Sequence, residues 1–159
     1  MKRIIDTITT QMRVDNPELI IAQLKDLDCA NLRDRDGRTL LINAAFYGCY
    51  EIVKYLVNCD MDINATDNRG LSALHAAVQE NHIEIVELLL QKGANVNIQN
   101  AFGNTPLWMA SPSSPDELFL LLLKYGADPT ISNNYGISAI DGFAGFPEKQ
   151  ALLRRASKL

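Results

Sequence analysis

A spacing of 33 residues runs through the chain and decides what it can fold into. Gly37, Gly70, Gly103 and Gly136 stand 33 apart, as do Thr39, Ser72, Thr105 and Ser138, and the apolar Leu41, Leu74, Leu107 and Ile140. Three unrelated residue types in one register imply a repeated unit. A unit this short must bury its apolar face against the units before and after it. Such a stack presents a long open surface and seldom a closed pocket.

Residues 67–99 show the chemistry of one unit. Asp67-Asn68-Arg69-Gly70 is a turn sequence in which Gly70 can take a positive φ. Ser72 is placed to cap a short helix of small residues over 73–78. Asn81-His82 interrupts, and a second helix follows over 83–91 with Ile85, Val86, Leu88, Leu89 and Leu90 on its apolar side. Gly93 closes that helix at C′. The first helix is too short to hold by itself, so its stability has to come from burial, roughly 1.5–3 kcal/mol for each enclosed Leu or Ile.

The same reading holds in residues 34–66 and 100–132. In the latter block Pro106 takes the first helical position, where its missing amide is least costly, and Pro112 shortens the first helix. Ser114-Pro115-Asp116-Glu117 predicts a second helix with Ser114 as N-cap, Pro115 at N1 and a capping box through Glu117. Asn16-Pro17-Glu18 predicts a similar start. Asp34, Asp67, Asn100 and Asn133 recur with the period and read as turn caps.

Gly103-Asn104-Thr105-Pro106-Leu107, Ser72-Ala73-Leu74-His75-Ala76-Ala77, the run Glu84 to Asn97 and Lys124-Tyr125-Gly126-Ala127-Asp128 resemble the ankyrin repeat signature. The resemblance is good over residues 34–145. It implies an all-α solenoid of stacked helix-turn-helix units with β-turn or hairpin loops. The expected organisation is one domain, 1–159, with repeats at 34–66, 67–99 and 100–132. Residues 1–33 would form an N-terminal capping unit, and 133–159 a C-terminal one with a polar second helix over 147–159. Asp60-Met61 departs from the usual Gly-Ala, so a strained or differently capped turn is expected there. Trp108 stands where His75 stands one unit earlier, and Ile42 one unit before that.

Composition narrows the function. The net charge is -4, and each of the blocks 34–66, 67–99 and 100–132 carries -2. An acidic body does not suit a phosphate backbone, so nucleic acid is a poor partner, whereas a basic protein would suit the charge. Cys29, Cys49 and Cys59 are odd in number and without paired spacing, which reads as inert free thiols in a reducing compartment. Asp6 cuts the first apolar run, so no signal peptide is expected, and the longest apolar run, 118–123, is far short of a membrane span. The expectation is a cytoplasmic protein, monomeric because its end units are polar or charge-balanced.

The resemblance also implies a surface. Ankyrin-like stacks bind proteins through the turn tips and the exposed side of the first helix, a concave face. The corresponding positions are Arg35, Asp36, Arg38, Phe46 and Tyr47; Asn68, Arg69, Leu71, Gln79 and Glu80; Ala101, Phe102, Asn104 and Ser113; and Asn134, Tyr135 and Ile137. Aromatic and Arg side chains dominate binding hot spots; the expectation is that these are wet in the free protein. The competing reading is that Phe46 and Tyr47 only cover the adjoining helix. The resemblance also implies structural roles for His75 and His82, bonding between loops. Two histidines seven apart do not make a metal site, and no phosphate loop, nucleophile elbow or dinucleotide fingerprint is present. The expected protein is non-enzymatic, without cofactor or metal, and binds one protein partner. A narrower alternative is an inhibitor or immunity-type protein that neutralises a toxin or enzyme by occlusion. A rival from another class is a small enzyme with a site near His75 and Trp108.

Overall fold

The fold follows from the turn that opens each unit. In this computed structural model, which describes residues 2–13 and 16–156, every such turn is closed by its own first side chain. Asp34 Oδ1 accepts the amides of Asp36 and Arg38, each at 2.9 Å. Asp67 Oδ1 accepts those of Arg69 and Leu71 at 2.8 and 2.9 Å. Asn100 and Asn133 do the same for residues 102 and 104, and 135 and 137. Successive turns are then joined by backbone bonds in which Asn68, Ala101 and Asn134 donate to the carbonyls of Asp36, Arg69 and Phe102 at 2.9, 2.9 and 3.0 Å. Gly70 shows why this contact needs glycine. Its φ is +74°, and a Cβ there would lie 2.7 Å from the amide nitrogen of Ala101 in the next turn.

Each turn delivers the chain to a capped helix. The helices, in order, are α1 (Lys2–Gln11), α2 (Pro17–Leu24), α3 (Leu40–Phe46), α4 (Tyr50–Leu56), α5 (Ala73–Gln79), α6 (Ile83–Gln91), α7 (Pro106–Met109), α8 (Asp116–Lys124), α9 (Ala139–Gly142) and α10 (Pro147–Ala156). Among the described residues there is no strand, only isolated bridges such as Thr66 with Ser72 across the turn base. Thr39, Ser72, Thr105 and Ser138 cap α3, α5, α7 and α9 through their hydroxyls. The odd-numbered helices stack on one another in the order α1, α3, α5, α7, α9, and α4 lies between α2 and α6. The core runs without a break from Ile5 to Leu153. Residues 40–45 and 73–78 are buried at every position, because short helices with neighbours on both sides have no solvent face to spare.

Two expectations are corrected by the structure, and one left open between two outcomes takes the second of them. Ser114 does not cap α8: Pro115 holds the N-cap position without a side-chain bond, and the Ser114 hydroxyl instead accepts the Ser111 amide at 3.1 Å. Pro112 ends α7 so early that a separate 111–114 turn forms and takes that hydroxyl. At Asp60-Met61 the turn is capped differently rather than strained. In the two later units the residue after the glycine donates back into its helix, Ala94 to Leu89 and Ala127 to Leu122, both at 3.0 Å, whereas Met61 donates to Cys59 at 2.8 Å. Asp60 has no positive φ. Thirdly, Phe46 and Tyr47 are half-buried and packed on the core rather than wet. The expected last helix begins at Pro147; its residues 157–159 lie outside the described residues.

His75 ties two units together from a fully buried position. Its Nδ1 accepts the Ser72 amide at 3.2 Å, which makes it the N3 partner of a capping box. Its Nε2 faces the Asn104 carbonyl oxygen at 3.1 Å. The two contacts assign the neutral tautomer with the proton on Nε2. Burial lowers its pKa, and the Asn104 carbonyl and the Asp67 charge oppose that only in part. The neutral ring is therefore the one the fold accepts. The unfolded imidazole takes up a proton near pH 6.5, so stability is full above about that pH and falls as pH drops below it. Urea midpoints at pH 7.5 and 5.5 will show a larger fall in the native chain than in His75→Gln; an equal fall removes His75 from the account.

The turn caps make a second prediction. Asn100 and Asn133 show that an amide oxygen serves in the register of Asp67. Asp67→Asn is expected to cost less than about 1 kcal/mol, and Asp67→Ala about 2 kcal/mol or more, since the latter orphans two amides. Chemical denaturation ranks the two variants.

Candidate interaction surface

The turn caps spend backbone, not tip side chains, so the tips are free to carry chemistry. Along the stack the tip register reads Asp36, Arg69, Phe102, Tyr135, and the register two residues on reads Arg38, Leu71, Asn104, Ile137. Tyr135 is 73% exposed and Phe102 50%. Asp36, Asn68 and Arg69 are exposed as well. Asn134 and Ile137 also reach solvent, as do Gln79, Glu80, Ala101 and Ser113. Gln79 donates to Glu80 at 3.2 Å. Leu71 is half-buried. Asn104 is held between units: its side-chain oxygen accepts from Asn133 at 2.9 Å while its carbonyl faces His75.

The end nearer the N-terminus is built from arginines laid on rings. Phe46 and Tyr47 meet edge to face with centroids 5.1 Å apart. The Arg38 guanidinium lies 5.5 Å above the Phe46 ring, and that of Arg13 lies 5.7 Å from Tyr47. His82 Nε2 reaches the Phe46 carbonyl oxygen at 3.2 Å, tying this cluster to the next unit. Arg38 and Arg69 both point Nε at Asp67 Oδ2, at 3.8 and 3.9 Å. Those distances permit Coulomb attraction but exceed hydrogen bonding. The Asp67 side chain is fully buried, and its Oδ2 has no hydrogen-bond partner among the described residues. Arg35, 84% exposed, lies 3.9 Å from Asp6.

Sequence reasoning missed Arg13, although a signal existed: 33 added to 13 gives Phe46, so Arg13 occupies the first-helix end register of its own unit. It also took Asp67 only as a turn cap and overlooked its second oxygen, because the arginines it faces come from different turns.

The remaining candidates have other roles. His82 and His75 bond between loops, as described. A cleft of about 280 Å³ beside Trp108 is lined by Met109, Ala110, Ser111, Pro112, Gly142 and Phe143, and His75 is not among its walls. Cys29 is buried, and Cys49 and Cys59 are half-buried; all three are free thiols. Burial raises the pKa of both Cys29 and Cys49, which disfavours the reactive thiolate. Among the described residues no group of three or more His, Cys, Asp or Glu is placed to hold a metal ion, and no helix is long and apolar enough to cross a membrane.

Part of the chain is similar in sequence to known proteins. Neurogenic locus notch homolog protein 2 is 43% identical over 65 residues in both Homo sapiens and Mus musculus. That stretch is 41% of this chain and only about 2% of the length of either relative. The sequence model of ankyrin repeats in three copies matches residues 12–100 and 68–133, well over half of the chain. Together with the capped helix pairs and the turn-to-turn bonds, that match makes the chain a member of the ankyrin-repeat family.

Proposed function

We propose that the chain binds a protein partner through its turn tips and first-helix ends, and acts by holding or covering that partner. Ankyrin repeats are in general protein-interaction modules, and the family is typically non-enzymatic. The observation that carries the assignment of the surface is the row of large side chains kept in solvent at the tips, Phe102 and Tyr135 with Arg69 and Ile137 beside them. Arg35, Asp36, Arg38, Asn68, Leu71, Gln79, Glu80 and Asn104 complete the strip, with Phe46 and Tyr47 supporting its arginines. The tips are pre-ordered by the caps, so binding loses little conformational freedom there. The repeats 34–66, 67–99 and 100–132 form one continuous unit of recognition, flanked by residues 1–33 and 133–159. The net charge of -4 favours a basic partner over the surface as a whole. Three free thiols suit a reducing compartment such as the cytoplasm. Against a site near His75 and Trp108, the His75 ring is buried with both nitrogens engaged and stands apart from the Trp108 cleft.

Site-specific photo-crosslinking tests the surface. A benzoylphenylalanine at position 102 or 135 is expected to give one discrete protein adduct in the native extract, while the same group at exposed Leu120 on α8 gives none. The Phe102→Ala/Tyr135→Ala variant should keep its helical circular dichroism and weaken binding of the recovered partner at least tenfold, about 1.4 kcal/mol. Adducts formed equally from Leu120, or undiminished binding by the variant, reject the strip.

A further inference from the structure

The charge of the strip differs from the charge of the chain. Glu51, Glu84, Glu87, Asp116, Glu117 and Glu148 all sit on second helices. At the N-terminal end of the tip face, by contrast, Arg13 and Arg38 lie over Tyr47 and Phe46, Arg69 joins Arg38 at Asp67, and Arg35 lies near Asp6. Arg38 lies over the Phe46 ring and has Nε nearest Asp67, so its terminal nitrogens are the part left for a ligand. The same carboxylate draws Arg69 to the same point, although Arg69 is 60% exposed. Neither guanidinium makes a hydrogen bond among the described residues, and one buried carboxylate balances only one of the two charges. Guanidinium donors with hydrogen bonds to spare match a carboxylate acceptor.

We propose that the Arg38–Arg69 pair, with Arg13 and Arg35 beside it, receives an acidic peptide segment, its Asp or Glu carboxylates taking the free guanidinium edges. The proposal rests on the reading of the tip face as the contact surface and names the partner chemistry at one end of it. Nucleic acid is disfavoured: Asp6, Asp34, Asp36 and Asp67 interleave with the arginines, which an acidic side chain can avoid and a continuous phosphate backbone cannot. Asp67 is a positioning residue here, converging two guanidinium groups that belong to different turns.

NMR titration of the full chain with blocked hexaglutamate, hexalysine and an eight-nucleotide single-stranded DNA tests this. Hexaglutamate is expected to move the Arg38 and Arg69 Nε–H resonances and the amides of Phe46 and Tyr47, and to bind several-fold more weakly when salt rises from about 50 to 300 mM. Arg38→Gln/Arg69→Gln should weaken it at least tenfold. Arg69→Gln alone, at an exposed position outside the core, should weaken it several-fold with an unchanged circular dichroism spectrum, and Arg38→Lys should retain only part of the binding. Equal binding by the double variant overturns the proposal. Tighter binding of hexalysine or DNA at these same resonances overturns the acidic assignment and leaves the tip face standing. Shifts confined to α4, α6 and α8 overturn both.

Discussion

One side chain per unit, an Asp or Asn, gathers two amides of its own turn and so sets the shape of everything after it. The closed turn presents its next carbonyl to the amide of the following turn, at 2.9 to 3.0 Å in three successive steps. That bond fixes the offset between units, and with it the stacking of α3 on α5 and α5 on α7. Helices of four to seven residues have no independent stability, so the buried Leu and Ala of α3 and α5 contribute only because the turns bring them into register. Burial supplies most of the energy and the turn cap supplies the geometry in which it can be collected.

The same device frees the surface. Because turn closure uses backbone amides and one acceptor side chain, the tip positions 36, 102 and 135 carry no structural side-chain duty beyond fitting in solvent, and position 69 only lends its charge to Asp67. They run from Asp through Arg to Phe and Tyr along the stack. On the proposed reading, a face whose backbone is fixed and whose side chains change chemistry from one end to the other would read a partner by position, charge at one end and apolar contact at the other. Rigid presentation lowers the cost of association, which lets a modest number of anchors suffice.

The period made most of this legible in the sequence. The caps at Thr39, Ser72, Thr105 and Ser138 follow from local chemistry repeated at one spacing, the short α7 from Pro112, and the inter-loop histidines from the family resemblance. What stayed hidden depends on contacts the spacing does not carry. Ser114 has a good capping sequence, but a neighbouring turn competes for its hydroxyl. Phe46 and Tyr47 occupy surface register, yet Arg13 and Arg38 cover them and the core takes their inner edges. The tip strip was visible as a set of positions; the convergence of Arg38 and Arg69 on one carboxylate was not, because it joins adjacent turns through a side-chain oxygen that the period treats as a mere cap.

That oxygen shows how one repeated position is turned to different ends. The second oxygen of Asp34 accepts the Asn43 side-chain amide at 3.1 Å. One unit later the residue in the register of Asn43 is Ala76, so Asp67 Oδ2 has no amide to take. A buried carboxylate oxygen without a hydrogen bond is costly unless opposite charge stands near, and Arg38 and Arg69 provide it. In the next unit the cap is neutral, and Asn100 gives its side-chain amide to the Met109 sulfur at 3.5 Å. In the last, Asn133 gives its amide to Asn104. The repeat therefore keeps the turn-closing oxygen constant and lets its companion atom vary. Where that companion is charged and lacks an amide, the guanidinium groups of two turns are drawn to one point on the exposed face.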